Sequence, residues 1–128
     1  MMTPNKPYIL RALYEWIADN NMIPHINVDA TRQNLKIPQQ FVKDGQITLN
    51  LSTTAVHNLQ MTNFAVTFGA RFSGTPMQVY IPIGAISAIY ARETGEGMMF
   101  DTYDSDGDDD GNGSPPAADG KPILKIVK

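Results

Sequence analysis

The chain has 128 residues, 42% of them hydrophobic, no cysteine, and a formal charge of −3. That length suits one domain with a modest core, and the missing cysteines exclude a disulfide framework, a thiol nucleophile and a zinc–thiolate site. Residues 1–100 hold seven basic and six acidic side chains, residues 101–120 hold seven Asp and no base, and the last eight residues hold three Lys. A near-neutral body has no phosphate-binding stripe, which argues against nucleic acid. The N-terminus lacks a signal-peptide core, and the longest apolar region, residues 79–91, is broken by Pro82 and Gly84 and too short for a bilayer. A cytoplasmic location is the expectation.

Asn5 is placed to cap a helix with Pro7 in its first turn. Residues 7–21 contain no internal Gly and no Pro after that turn. Ile9, Leu13, Trp16 and Ile17 recur at helical spacing and should face the core. Tyr8 and Ala12 lie four apart on an adjacent face, so the helix is apolar over more than one stripe. Such width points either to deeper insertion in its own core or to a homodimer seam where Ala12 lets two helices approach. Residues 25–31 read as a strand, with Ile26 and Val28 alternating against Asn27 and Asp29. Residues 35–42 are irregular or a short strand, because Pro38 lacks a ladder donor. Asp44–Gly45 is a strong turn signal, and residues 46–51 follow as a strand with Ile47, Leu49 and Leu51 on one face.

Ser52, Thr53 and Thr54 form a capping cluster for one helical turn through Val56. A short strand at residues 59–61 and a turn at Thr62–Asn63 lead into residues 63–72. There Phe64, Val66, Phe68, Ala70 and Phe72 are all apolar, a period of two. Ala70 and Gly69 are small residues beside aromatics, which reads as a packing gap in a central strand or a place for another extended chain. Residues 73–75 turn, and Met77, Val79 and Ile81 alternate in the next strand. Residues 84–91 suit either a short helix or a return to the sheet. One helix followed by five to seven short strands indicates an α+β domain with a strongly bent antiparallel sheet, or a small barrel-like one.

Met98, Met99 and Phe100 are the last apolar anchor, so the body should comprise residues 1–100. Residues 101–122 are acidic, carry Gly and Pro, and should form a disordered linker. Residues 123–128 reverse the pattern, apolar and basic at the end of a tether. They suit a terminal strand folding back or a short linear motif, and composition favours the motif.

Little here supports catalysis. Asp106, Asp108, Asp110 and Gly111 match part of a calcium loop, but its twelfth position is Ala117 rather than Glu. His25 and His57 are too few for zinc, and no nucleophile constellation or phosphate loop is present. No enzyme activity, metal or cofactor is expected.

Several stretches together resemble the stringent starvation protein B family. They are Pro7-Tyr8-Ile9-Leu10-Arg11-Ala12, Tyr14-Glu15-Trp16, Asp44-Gly45-Gln46-Ile47, Asn50-Leu51, Ala70-Arg71-Phe72, Ala88-Ile89-Tyr90-Ala91-Arg92-Glu93 and the terminal Leu124-Lys125-Ile126-Val127-Lys128. The resemblance implies an adaptor that binds proteins carrying the ssrA tag and delivers them to the ClpXP protease. It implies a homodimer through Tyr8 and Ala12, and a peptide groove around Val56, Phe68, Ala70, Arg71 and Phe72. Gly69 departs from the family pattern, which has Asn there. The resemblance also implies a docking motif for the N-terminal zinc-binding domain of ClpX at Leu124, Lys125, Ile126, Val127 and Lys128. A competing class is a small β-barrel that binds RNA or the ribosome, against which the neutral body and acidic tail count.

Overall fold

The computed structural model describes residues 2–104. The linker beyond residue 104, the partial calcium loop and the terminal motif lie outside them.

Helix α1 runs Lys6–Asp19, with Pro7 in its first turn and Asn21 at φ 61° just past its end. Asn5 takes the N-cap position, but only its main-chain oxygen contributes, accepting from Ile9 N at 2.9 Å. The buried face is Pro7, Leu10 and Ile17, flanked by partly buried Leu13 and Tyr14, spaced three and four apart. Trp16 is therefore not the core residue its spacing suggests. It is 46% exposed and shares the outer face with Tyr8 and the exposed Ala12. Apolar residues cover so much of this helix that periodicity leaves its phase open; packing of Leu10 and Ile17 decides it.

Among the described residues seven strands follow: β1 (Pro24–Asp29), β2 (Gln46–Asn50), β3 (Val56–Met61), β4 (Ala65–Phe72), β5 (Thr75–Pro82), β6 (Ile86–Ala91) and β7 (Gly97–Met99). They form two antiparallel sheets, in the orders β2-β1-β6-β7 and β3-β4-β5. The fold is α+β as expected, but the sheets do not close into a barrel. Burial alternates strictly in β1, with Pro24, Ile26 and Val28 inward. Asp44 (φ 53°) and Gly45 (φ 75°) make the two-residue turn into β2, both in the left-handed region that such a turn requires.

Residues 52–55 form a turn and no helix: Ala55 N and Val56 N both donate to Ser52 O, and Val56 already belongs to β3. Phe64 precedes β4 and is 67% exposed, so the apolar face of that strand begins at Val66. Residues 84–91 resolve into a 3-10 turn, Ile83–Ala85, then β6. The core joins Leu10 and Ile17 to Ile26, Leu51, Phe68, Ile81, Ile86 and Ile89.

The body does not stop at Phe100. Lys6 Nζ donates to Asp101 O at 3.0 Å and lies over the rings of Phe100 and Tyr103. Thr102 Oγ1 donates to Asp29 Oδ2 at 2.9 Å, Tyr103 N to Gly84 O at 2.9 Å, and Gln33 N to Asp104 Oδ1 at 3.0 Å. Hydrogen bonds from the Thr31 hydroxyl, and then from the Thr31 amide, Thr102 and Arg32, hold Asp29 down to about 2. Asp101 and Tyr103 make these bonds through the main chain, Thr102 and Asp104 through the side chain, so the described chain stays packed on the body through residue 104. Gly84 leaves the room: a side chain there would run into the Tyr103 main chain and ring. No helix among the described residues is long and apolar enough to cross a membrane.

Candidate functional site

A groove of about 570 Å³ opens between the two sheets. Phe68, Ala70 and Phe72 of β4 line one side, on a shared face by strand alternation, with Arg71 at its margin. Residues 46–50 of β2 line the other, five in a row. Successive side chains of a strand point to opposite faces, so five consecutive lining residues mean that the strand presents its edge. β2 is the outer strand of its sheet, with β1 on one side and, on the other, only a bridge from Lys43 to its first residue, Gln46. The groove thus combines unpaired main-chain groups with an apolar floor of Ile47, Leu49 and Phe68, each nearly fully buried.

Four of the five expected groove residues are brought together here. Val56 is not among the lining residues; it is buried and stands directly opposite Ala70 in the β3–β4 ladder. Gly69 points away from the groove. Its bare backbone faces the imidazole of His57, its partner in β3, so the notch at Gly69 is filled by this chain's own ring. The Arg71 guanidinium donates to Gly74 O at 3.3 Å, in the turn that joins β4 to β5. Among the described residues, the charged groups lining the groove are Lys43 and Arg71, and no acidic side chain lines it.

Phe41 and Lys43 were not legible as site residues. They lie where Pro38 makes the pattern irregular, in a segment with one 3-10 turn, Gln39–Phe41. The only local signal was a ring and a cation just ahead of the Asp44–Gly45 turn.

Tyr8 and Ala12 sit on the outward face of α1. Asn63 Nδ2 donates to the Tyr8 hydroxyl at 3.0 Å, and that bond lowers the phenol's pKa. The Arg11 guanidinium covers the ring at 4.7 Å and donates to Met61 O and Asn63 Oδ1. Tyr8 is thereby fixed against the β3–β4 turn, and it shares the exposed outer side of α1 with Ala12 and Trp16. Among the described residues no group of three or more His, Cys, Asp or Glu side chains is placed to hold a metal ion.

The family model for stringent starvation protein B matches residues 4–126. A curated relative from Haemophilus influenzae, named stringent starvation protein B homolog, is 52% identical over 99 residues, covering 77% of this chain and 66% of the relative. The match thus spans just under two thirds of that relative's length.

Proposed function

This chain belongs to the stringent starvation protein B family, and we propose that it is a non-catalytic adaptor that captures ssrA-tagged proteins and hands them to the ClpXP protease. Family membership supports an adaptor-type identity. The observation that carries the peptide-binding reading is the groove's pairing of an open strand edge with apolar pockets. An extended peptide completes its main-chain hydrogen bonds on such an edge, and alternate side chains enter the pockets. Lys43 and Arg71, with no lining carboxylate among the described residues, favour a peptide bearing acidic residues, as the ssrA tag does.

The exposed face of Tyr8, Ala12 and Trp16 supports a homodimer through α1. Leu124, Lys125, Ile126, Val127 and Lys128 then serve as the docking motif for the N-terminal zinc-binding domain of ClpX. Two tails on a dimer multiply a weak contact, by about 10² or more for suitable linkers. The working compartment in this reading is the cytoplasm.

Fluorescence anisotropy with a labelled ssrA peptide tests the reading. Binding should saturate, weaken as salt is added, and be matched by faster ClpXP degradation of a tagged substrate. Absence of saturable binding at up to millimolar protein overturns it.

A further inference from the structure

We propose that residues 36–43 form a second recognition wall of the groove, in which Phe41 receives an apolar side chain of the bound peptide and Lys43 one of its carboxylates. The inference rests on the peptide-binding reading above and names the chemistry of the peptide that fits.

The segment is a strap fastened to both sheets. At one end Lys36 and Tyr80 of β5 exchange two main-chain bonds, 2.9 and 3.0 Å long. At the other, Lys43 and Gln46 of β2 exchange two more, 2.8 and 2.9 Å long. Ile37, buried in the core, pins the chain between them. A wall held at both ends loses little freedom when a ligand arrives, which favours binding by preorganisation.

Phe41 is the feature that asks for an occupant. Its ring centroid is 5.8 Å from that of Phe72, tilted by 46°, a favourable aromatic arrangement that sets its position. Yet Phe41 remains 43% exposed, and among the described residues it is the one large apolar side chain of the groove lining left open to this degree. Ile47, Leu49 and Phe68 are already satisfied by the core. New apolar burial on binding therefore falls mainly on the Phe41–Phe72 pair at the lip.

Lys43 supplies the charge. It makes no ion pair among the described residues, and Arg71 provides a second cation from the β4 side. The two come from different elements, so a strand-like ligand running between them meets a cation on either wall. An extended peptide with an aliphatic or aromatic side chain and with carboxylates matches this lining.

The test uses the full chain, a fluorescein-labelled ssrA peptide, and the same peptide with its Asp and Glu changed to Asn and Gln. Phe41→Ala should weaken both peptides by about tenfold. Lys43→Gln should weaken the acidic peptide by about threefold, the range of an exposed ion pair, and leave the amide peptide unchanged. Both side chains are exposed, and Phe41→Leu, expected to fall between wild type and Phe41→Ala, guards against a folding artefact. If both variants bind as wild type while Arg71→Gln loses affinity, the strap is no wall and the groove reading stands. Equal losses of the two peptides in Lys43→Gln remove the carboxylate role. If the wild type binds neither peptide, or a single-stranded RNA competes as well as unlabelled peptide, the underlying reading fails.

Discussion

The His57 imidazole lies across Gly69, so close that a Cβ on Gly69 would stand 2.5 Å from His57 Nε2. The two are partners across β3 and β4. Gly69→Ala should displace the ring, which ends an exposed and flexible side chain, at a cost of no more than about 1 kcal/mol. With His57→Ala already in place, the same change should stabilise β4 by about 0.5 kcal/mol, because an interior strand glycine is unfavourable. A double-mutant cycle from urea unfolding should show coupling of at least about 0.5 kcal/mol. Strict additivity would mean that the ring does not occupy this space.

The outer face of α1 makes a separable prediction. Ala12 is exposed between Tyr8 and Trp16, so Ala12→Glu leaves the fold intact. In a helix-mediated dimer it places a carboxylate and its symmetry mate in a desolvated seam, costing several kcal/mol, about 3–5 for an unpaired buried charge. Sedimentation should show a folded monomer. A variant that stays dimeric at micromolar concentration moves the interface elsewhere.

In the groove, Ala70 is the small residue between Phe68 and Phe72 on the lining face. Ala70→Leu should obstruct the peptide and lower its affinity at least about tenfold, the effect of blocking a central contact. Circular dichroism should show the sheets retained. Arg71→Gln should weaken binding and flatten its salt dependence, since exposed charge attraction is screened. Wild-type binding by both variants would remove β4 from the site.

Lys6 predicts a pH dependence. Burial pushes its ammonium from the ordinary 10.5 down to about 7, and the Asp101 carboxylate pulls the other way. Between those values the unfolded chain holds a proton that the folded chain releases, so stability rises with pH from about 7 to about 10. Each unit is worth at most about 1.4 kcal/mol. Lys6→Met keeps the stem and should lose this slope, so urea unfolding of both proteins should diverge across that range. Parallel curves would mean that the Phe100 and Tyr103 rings keep Lys6 charged in the fold.

The terminus gives a prediction of delivery rather than stability. Residues 121–128 lie well past residue 104, the last described residue, and as a tethered docking motif they should be removable with no change in melting temperature or ssrA-peptide affinity. Stimulation of ClpXP degradation at low substrate concentration should vanish. It should return when the eight residues are restored after a Gly/Ser linker of equal length. Loss of thermal stability on truncation would identify a packed strand instead.

Alternation made β1, β2 and β5 legible, because each buries one face and exposes the other. It also found Phe68, Ala70 and Phe72, which share a face for the same reason. The phase of α1 was not legible, since Trp16 is as apolar as Leu10 and only the sheets decide which turns inward. Residues 101–104 read as linker because their partners, Lys6, Asp29, Arg32 and Gly84, are far away in sequence. The groove's other half depends on which strands pair: an edge is a property of the main chain of β2, and nothing in Gln46–Asn50 announces that its second neighbour is missing.

An open strand edge is also a hazard, since it templates pairing with any extended chain, including another copy of itself. Here the rim carries Lys43 and Arg71 with no lining acid among the described residues. Two copies meeting edge to edge would bring cation against cation, whereas an acidic segment meets attraction. On the peptide-binding reading, the charge that would favour an acidic guest also disfavours edge-to-edge pairing of β2 with its counterpart in a second copy.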